Sequence, residues 1–197
     1  MKVSIINLLL LGGLIIQPLI VYAEEQVPNE VLQEARLLAK SFGNDLKHAL
    51  KTSMKSGGPL KAIEICNLDA GPIAEKNALL SDWIIGRTSL KPRNESNSPD
   101  TWESKVLEQF EKRKASGENV KDIEYFESFK EDGQLVYRYM KPIPTSGLCL
   151  ACHGVTVSDE ITKKINSLYP NDTATGFSLG DIRGAFTLKK IKIETVD

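Results

Sequence analysis

Apolar positions between residues 29 and 55 recur at steps of three and four. Val31, Ala35, Leu38, Phe42, Leu46, Ala49 and Leu50 fall on one side of a helix, and Asn29 stands where an N-cap belongs. Ser56-Gly57-Gly58 ends that pattern. Pro59 then opens a second helix in the first-turn position, with Leu60, Ile63, Cys66 or Asn67, Ala70, Ile73 and Ala74 on its apolar side. Pro72 predicts a kink or an interruption there.

Trp83-Ile84-Ile85 reads as a short strand, after which Gly86-Arg87-Thr88 changes character. Residues 91–99, KPRNESNSP, form a polar loop. Asp100 and Glu103 make a capping box for a third helix whose buried face is Val106, Leu107 and Phe110 and which Gly117 closes. Ile123–Phe129 and Gln134–Met140 alternate like strands around an Asp132-Gly133 turn, a hairpin pattern. A short helix over 158–168, a glycine-rich stretch over 176–184 and a strand over Ala185–Ile193 complete the chain. Thr175–Leu179 is a candidate further strand. This order predicts an α+β fold, a small antiparallel sheet flanked by helices and preceded by a long N-terminal helix.

The first 23 residues stand apart from this pattern. Lys2 precedes an apolar stretch from Val3 to Ile16, and Val21-Tyr22-Ala23 places small residues at the minus-three and minus-one positions of a signal-peptidase site. Residues 1–23 therefore read as a secretory signal peptide and 24–197 as one compact exported domain, with a periplasmic destination. If uncleaved, the stretch is long enough to act as a membrane tether. Charge is nearly balanced, with 25 Lys and Arg against 26 Asp and Glu. With no basic tail or arginine cluster, nucleic-acid binding has no electrostatic support.

The three cysteines, Cys66, Cys149 and Cys152, are too few for a disulfide scaffold and odd in number. Two of them sit in Cys149-Leu150-Ala151-Cys152-His153, the C-x-x-C-H spacing of c-type haem attachment. Two thiols three positions apart match the two vinyl groups of one porphyrin edge. The histidine after the second thiol is carried under the ring, where its imidazole reaches the iron. One such motif implies one covalently attached haem c, with His153 as an axial ligand. A thioredoxin-like pair would need a βαβ frame, which the pattern lacks. A zinc site would need four ligands, and only Cys66 and His48 remain as soft or nitrogen donors. A Cys149–Cys152 disulfide would close a very small loop.

The sixth iron ligand is open on these grounds. His48 falls beside Lys51 and Lys55, off the apolar stripe. Met54 ends a helix, and Met140 follows a strand and is equally a core residue. Cys66 lies on an apolar helical face, where a buried inert thiol is the ordinary reading. An unmasked thiol is a hazard in an oxidising compartment, and iron would mask it.

The stretches AIEICN (62–67), GRTSLKPRN (86–94), RYMKPI (138–143), CLACHG (149–154) and YPNDTATGFSLGDIRGAF (169–186) resemble a single-haem c-type family with a PAS-like fold and histidine/cysteine axial ligation, first recognised in cyanobacterial proteins. The same module stands in front of some sensor kinases. The resemblance covers nearly all of the chain after residue 23. It implies thioether bonds at Cys149 and Cys152, His153 as proximal ligand and Cys66 as distal ligand. The loop reads Arg93-Asn94-Glu95 where the family pattern leads one to expect a proline. Arg87, Arg93 and Lys91 are the candidates for holding the haem propionates, the arginines favoured for bidentate pairing. Tyr139 and Arg138 are second choices, and Phe129, Tyr137 and Phe186 are candidate walls for the ring.

No catalytic constellation stands out, so an enzyme is not expected. The chemistry left is redox and ligand exchange at one iron, where a thiolate would favour the ferric state. The first expectation is a periplasmic mono-haem carrier passing electrons to a redox partner protein. The alternative is a redox or gas sensor that exchanges the Cys66 ligand and acts through a separate partner.

Overall fold

The computed structural model describes residues 28–79 and 81–192. The expected leader, residues 1–23, and Ile193 at the end of the expected last strand lie outside the described residues.

The first element, α1 (Asn29–Ala78), contains one break, at Gly57 (φ −163°, ψ 18°) and Gly58 (φ 67°, ψ −162°). Gly58 occupies a region of backbone space reserved for glycine. The chain turns back there. Asn77 Nδ2 donates to Asp45 Oδ2 at 3.1 Å, joined by Lys76 Nζ at 3.3 Å. A straight helix would hold those positions about 48 Å apart. So α1 is two arms, as the Ser56-Gly57-Gly58 signal predicts. The expected interruption at Pro72 does not occur, because helical dihedrals continue through it to Ala78. Gly71 precedes Pro72 and has no Cβ to meet the proline ring, which removes one of the contacts that disfavour a helical residue before proline.

The strands β1 (Trp83–Thr88), β2 (Tyr125–Glu131), β3 (Gln134–Pro144) and β4 (Ile182–Lys192) form one antiparallel sheet in the order β1-β4-β3-β2. Strand β1 runs three residues further than its apolar run, because β4 pairs Gly86 with Thr187, Arg87 with Phe186 and Thr88 with Ala185. Asp132 (φ 52°) and Gly133 (φ 80°) both take positive φ, as the two-residue hairpin requires.

One face of the sheet carries Trp83, Ile85, Tyr137, Tyr139 and Leu188 and packs under α1 through Ala35, Ala39 and Phe42. The opposite face carries Met140, Ile182 and Ala185 and packs under α2 (Thr101–Ala115) through Val106, Leu107 and Phe110. Each large apolar side chain so buried contributes about 1.5–3 kcal/mol. The capping box of α2 forms as predicted, with Glu103 N donating to Asp100 Oδ1 at 2.7 Å and Asp100 N to Glu103 Oε2 at 3.0 Å. The fold is thus α+β, an antiparallel sheet flanked by helices and led by a long N-terminal helix.

Thr175–Leu179 is not a strand, and its only ladder contact is a bridge from Phe177 to Gly154. Its backbone is committed elsewhere. Gly176 N donates to Gly154 O at 3.0 Å and Phe177 N to His153 O at 2.9 Å. The segment therefore serves the cysteine loop instead of the sheet.

Candidate cofactor site

Strand β3 delivers the chain to Thr145, whose N–H donates to Asp181 O at 2.7 Å. Ser146 then starts a tight turn over Gly147–Cys149, with its Oγ 3.2 Å from Cys149 Sγ. A single helical turn, α3 (Leu150–His153), comes next and is closed by Gly154 N donating to Leu150 O at 3.0 Å. A Cβ at Gly154 would stand 2.5 Å from that same oxygen, so only glycine fits. All three cysteines are free thiols.

His153 is fixed on one side. Its Nδ1 lies 2.6 Å from Ala174 O, and Phe177 packs edge-on against the ring at 6.3 Å. A carbonyl oxygen accepts only, so Nδ1 carries the proton and Nε2 keeps its lone pair. Burial, helped by Arg183 and Arg93, pushes the imidazole pKa down to about 2, which leaves the ring neutral. A neutral imidazole anchored at Nδ1 to a backbone carbonyl is the arrangement that metal-bound histidines use.

Arg93 locks this loop. Its guanidinium forms a two-pronged ion pair with Asp172 (Nε to Oδ1 3.1 Å, Nη2 to Oδ2 3.2 Å) and donates to Cys152 O at 2.6 Å and Ala174 O at 3.3 Å. The same Asp172 accepts from Ala174 N at 2.9 Å. Arg93, read from sequence as a propionate partner, is thus engaged by the protein itself.

Arg87, at the end of β1, differs. Burial lowers its pKa, with Cys66 and Tyr169 acting the other way. Among the described residues its guanidinium has no hydrogen-bond acceptor or ion-pair partner. It is the arginine left available for an anionic group.

Cys66 lies on the second arm of α1, one turn after Ile63. Ile63 is buried against Ile165 and Tyr169, and Cys152 packs at the edge of the same cluster. Lys164 of α4 (Asp159–Leu168) pairs with Glu64 at 2.5 Å and ties the arm down. The Cys66 thiol is exposed, yet the protein around it pushes its pKa up, opposed by Arg87 and Arg93. Burial also raises the Cys152 pKa, and Cys66 adds to that, so the two thiols lie within electrostatic range. The fold brings together Cys66, Arg87, Arg93, Cys149, Cys152 and His153.

Tyr139 is not in this group. Its hydroxyl donates to Glu124 Oε2 at 2.9 Å, and its ring is in the core beneath α1. Alternation along β3 turns it toward the first arm of α1 and away from the cysteine loop. Arg138 is held by Asp100 at 2.8 Å and stacks on Trp102 at 4.1 Å. Tyr137 and Phe186 belong to the core under α1, and Phe129 pairs with Val136 on the hairpin. Met140 is fully buried against α2, and His48 is exposed. Among the described residues no group of three or more His, Cys, Asp or Glu is placed to hold a metal ion.

A sequence model described as Tll0287-like matches residues 24–190. The chain belongs to the Tll0287-like family. It is similar to a solved structure titled as the cyanobacterial heme-protein Tll0287, with a TM-score of 0.59 and 24% identity, covering 85% of this chain and 96% of that one. That likeness shows the fold. No curated protein matches. The Tll0287-like match takes in every stretch that carries the resemblance read from the sequence.

Within this Tll0287-like chain, residues that single-residue reasoning missed complete the site. Arg183 Nε approaches His153 Nδ1 at 3.2 Å, while its Nη1 donates to Ser89 Oγ at 3.0 Å and Lys91 O at 3.1 Å. Phe177 lies beneath two cations, Lys91 at 4.8 Å and Arg183 at 5.2 Å. Both Phe177 and Arg183 lie in the YPNDTATGFSLGDIRGAF stretch. The available signal was that stretch, not any local pattern around either residue.

Proposed function

We propose that this chain carries one haem c and works as an exported redox or gas sensor module. Cys149 and Cys152 form the two thioethers, each S–H adding across a vinyl double bond. His153 Nε2 is the proximal donor and Cys66 the distal one. The observation that carries the reading is His153, neutral and anchored through Nδ1 on Ala174 O, beside two free thiols at the attachment spacing. Arg87, which has no acceptor among the described residues, is a cation for a propionate. Bound haem supplies an iron whose hold on a thiolate weakens on reduction.

Sensing is preferred to electron carriage because of where Cys66 sits. The thiol rides on the second arm of α1, beyond the Gly57–Gly58 reversal. Asp45 and Asn77 couple that arm to the first one, which packs on the sheet. The far end of that arm is fixed on the core through Ile73, Ala74 and Ala78, so release of Cys66 loosens only the part around Ile63 and Glu64, and that local change is the structural output to a separate partner protein. The family match begins at residue 24, directly after the expected cleavage point, which supports residues 1–23 as the export signal and a periplasmic location.

The test is spectroscopic. Mass spectrometry and a pyridine haemochrome assay of exported protein should show one c-type haem; none would end the reading. Cys66→Ala should convert the ferric low-spin spectrum to another ligation state. Reduced wild type should bind carbon monoxide if Cys66 releases. Six-coordinate iron in both oxidation states, inert to carbon monoxide, would favour the electron carrier.

A further inference from the structure

Arg183 has no part in the ligation scheme, yet it is the cation closest to the anchored histidine. Its Nε is 3.2 Å from His153 Nδ1. It is held there rigidly. Nη1 donates to Ser89 Oγ and to Lys91 O, and Ser89 Oγ donates back to Arg183 O at 2.8 Å. Phe177 packs against both the guanidinium and the imidazole. No carboxylate pairs with Arg183 among the described residues; Asp172 is bound by Arg93.

Nδ1 cannot donate to Ala174 O and accept from Arg183 at once. The 2.6 Å contact would set two lone pairs against each other if Nδ1 were bare, so the proton is on Nδ1. Arg183 then acts as a fixed positive charge at the back of the ring, not as its hydrogen-bond donor. A carbonyl pulling on Nδ1–H makes a ligating imidazole a stronger electron donor. A partly buried cation beside it opposes that and disfavours the ferric state.

Resting on the haem reading above, we infer that Arg183 is a positioning residue for the proximal ligand: it sets the ring plane of His153 through Phe177, which stacks under the guanidinium and meets the imidazole edge-on, and it raises the reduction potential of the iron against the lowering effect of the Cys66 thiolate. Residues 89–91 and 183 thereby reach the iron through His153 without touching it.

The test uses the exported holoprotein as wild type, Arg183→Gln and Arg183→Lys. A pyridine haemochrome of each comes first; a wild type without haem would refute the haem reading itself, whereas the role of Arg183 is judged only on haem-loaded protein. At a fixed applied potential, Arg183→Gln should lower the ferrous-to-ferric ratio at least tenfold, about 59 mV for one electron. Arg183→Lys keeps the charge and loses the fork. It should stay within about threefold of wild type, less than half a decade on the same scale, and show altered ferric paramagnetic resonance g-values from a rotated ring. A ratio for Arg183→Gln within twofold of wild type, with haem attached, would overturn the inference. If Arg183→Gln does not accumulate, unchanged g-values in Arg183→Lys would overturn it instead.

Discussion

Arg93 and Cys152 are joined across 59 positions, with Nη2 donating to the cysteine carbonyl at 2.6 Å. The same guanidinium pairs with Asp172, and both side chains are nearly buried, 12% and 6% exposed. Removing one partner of such a pair strands the other. Arg93→Ala should destabilise the fold by about 3–5 kcal/mol in urea denaturation. An unchanged midpoint would mean that the loop is held by packing alone.

Gly154→Ala should impair the site before it impairs the rest. The new Cβ would press on Leu150 O, a backbone atom with no room to yield. The closing turn of α3 must open, at about 1–3 kcal/mol. The expected readout is a lower yield of covalently attached haem by haemochrome assay, with far-ultraviolet circular dichroism nearly unchanged. Full attachment in the variant would contradict it.

Met140→Ala separates core from ligand. Met140 is fully buried against Phe110 and Ile123, so the loss should be about 2–5 kcal/mol. The ferric spectrum should stay that of wild type, since the side chain faces α2. A changed spectrum would reinstate methionine ligation.

Glu124 makes stability depend on acid. The hydrogen bond from Arg36 holds its carboxyl below the ordinary value of 4.5, against burial, with Tyr139 adding to the effect. A depressed carboxylate contributes stability that is complete above pH 4.5 and disappears as pH falls through its lower folded value. Hydrogen bonds to a charged group are worth about 1.5–3 kcal/mol, and the partly exposed Arg36 places this one at the low end. Glu124→Gln should flatten the acid limb of the stability profile below pH 4.5. A parallel profile for the variant would refute it.

Gly58→Ala should cost about 1–3 kcal/mol, because φ 67° with ψ −162° is strained for any side chain. The thermal midpoint would fall accordingly. A neutral effect would show that the reversal tolerates another geometry.

The capping box at Asp100 and Glu103, the glycine pair that breaks α1 and the hairpin turn at Asp132-Gly133 were all legible, because each is settled within four or five residues. The attachment spacing Cys149-x-x-Cys152-His153 was legible for the same reason. The longer β1 was not, since Gly86 and Arg87 extend only because β4 lies beside them. Pro72 does not interrupt the helix, and local sequence could not show that, because the lost backbone hydrogen bond and the crowding of the earlier carbonyl are offset only once the arm is packed on the core.

Periodicity and adjacency by themselves determined the α+β order of elements, the break between the arms of α1 and the C-x-x-C-H spacing of Cys149, Cys152 and His153. Only the tertiary structure decided that Tyr139 is committed to Glu124, that Arg93 clamps Asp172 while Arg87 has no partner among the described residues, and that Arg183 backs His153. The physical reason is range. Backbone hydrogen bonds and side-chain spacing act over one or two turns, whereas these pairings join residues 15 to 79 positions apart and exist only after the sheet and α1 have packed.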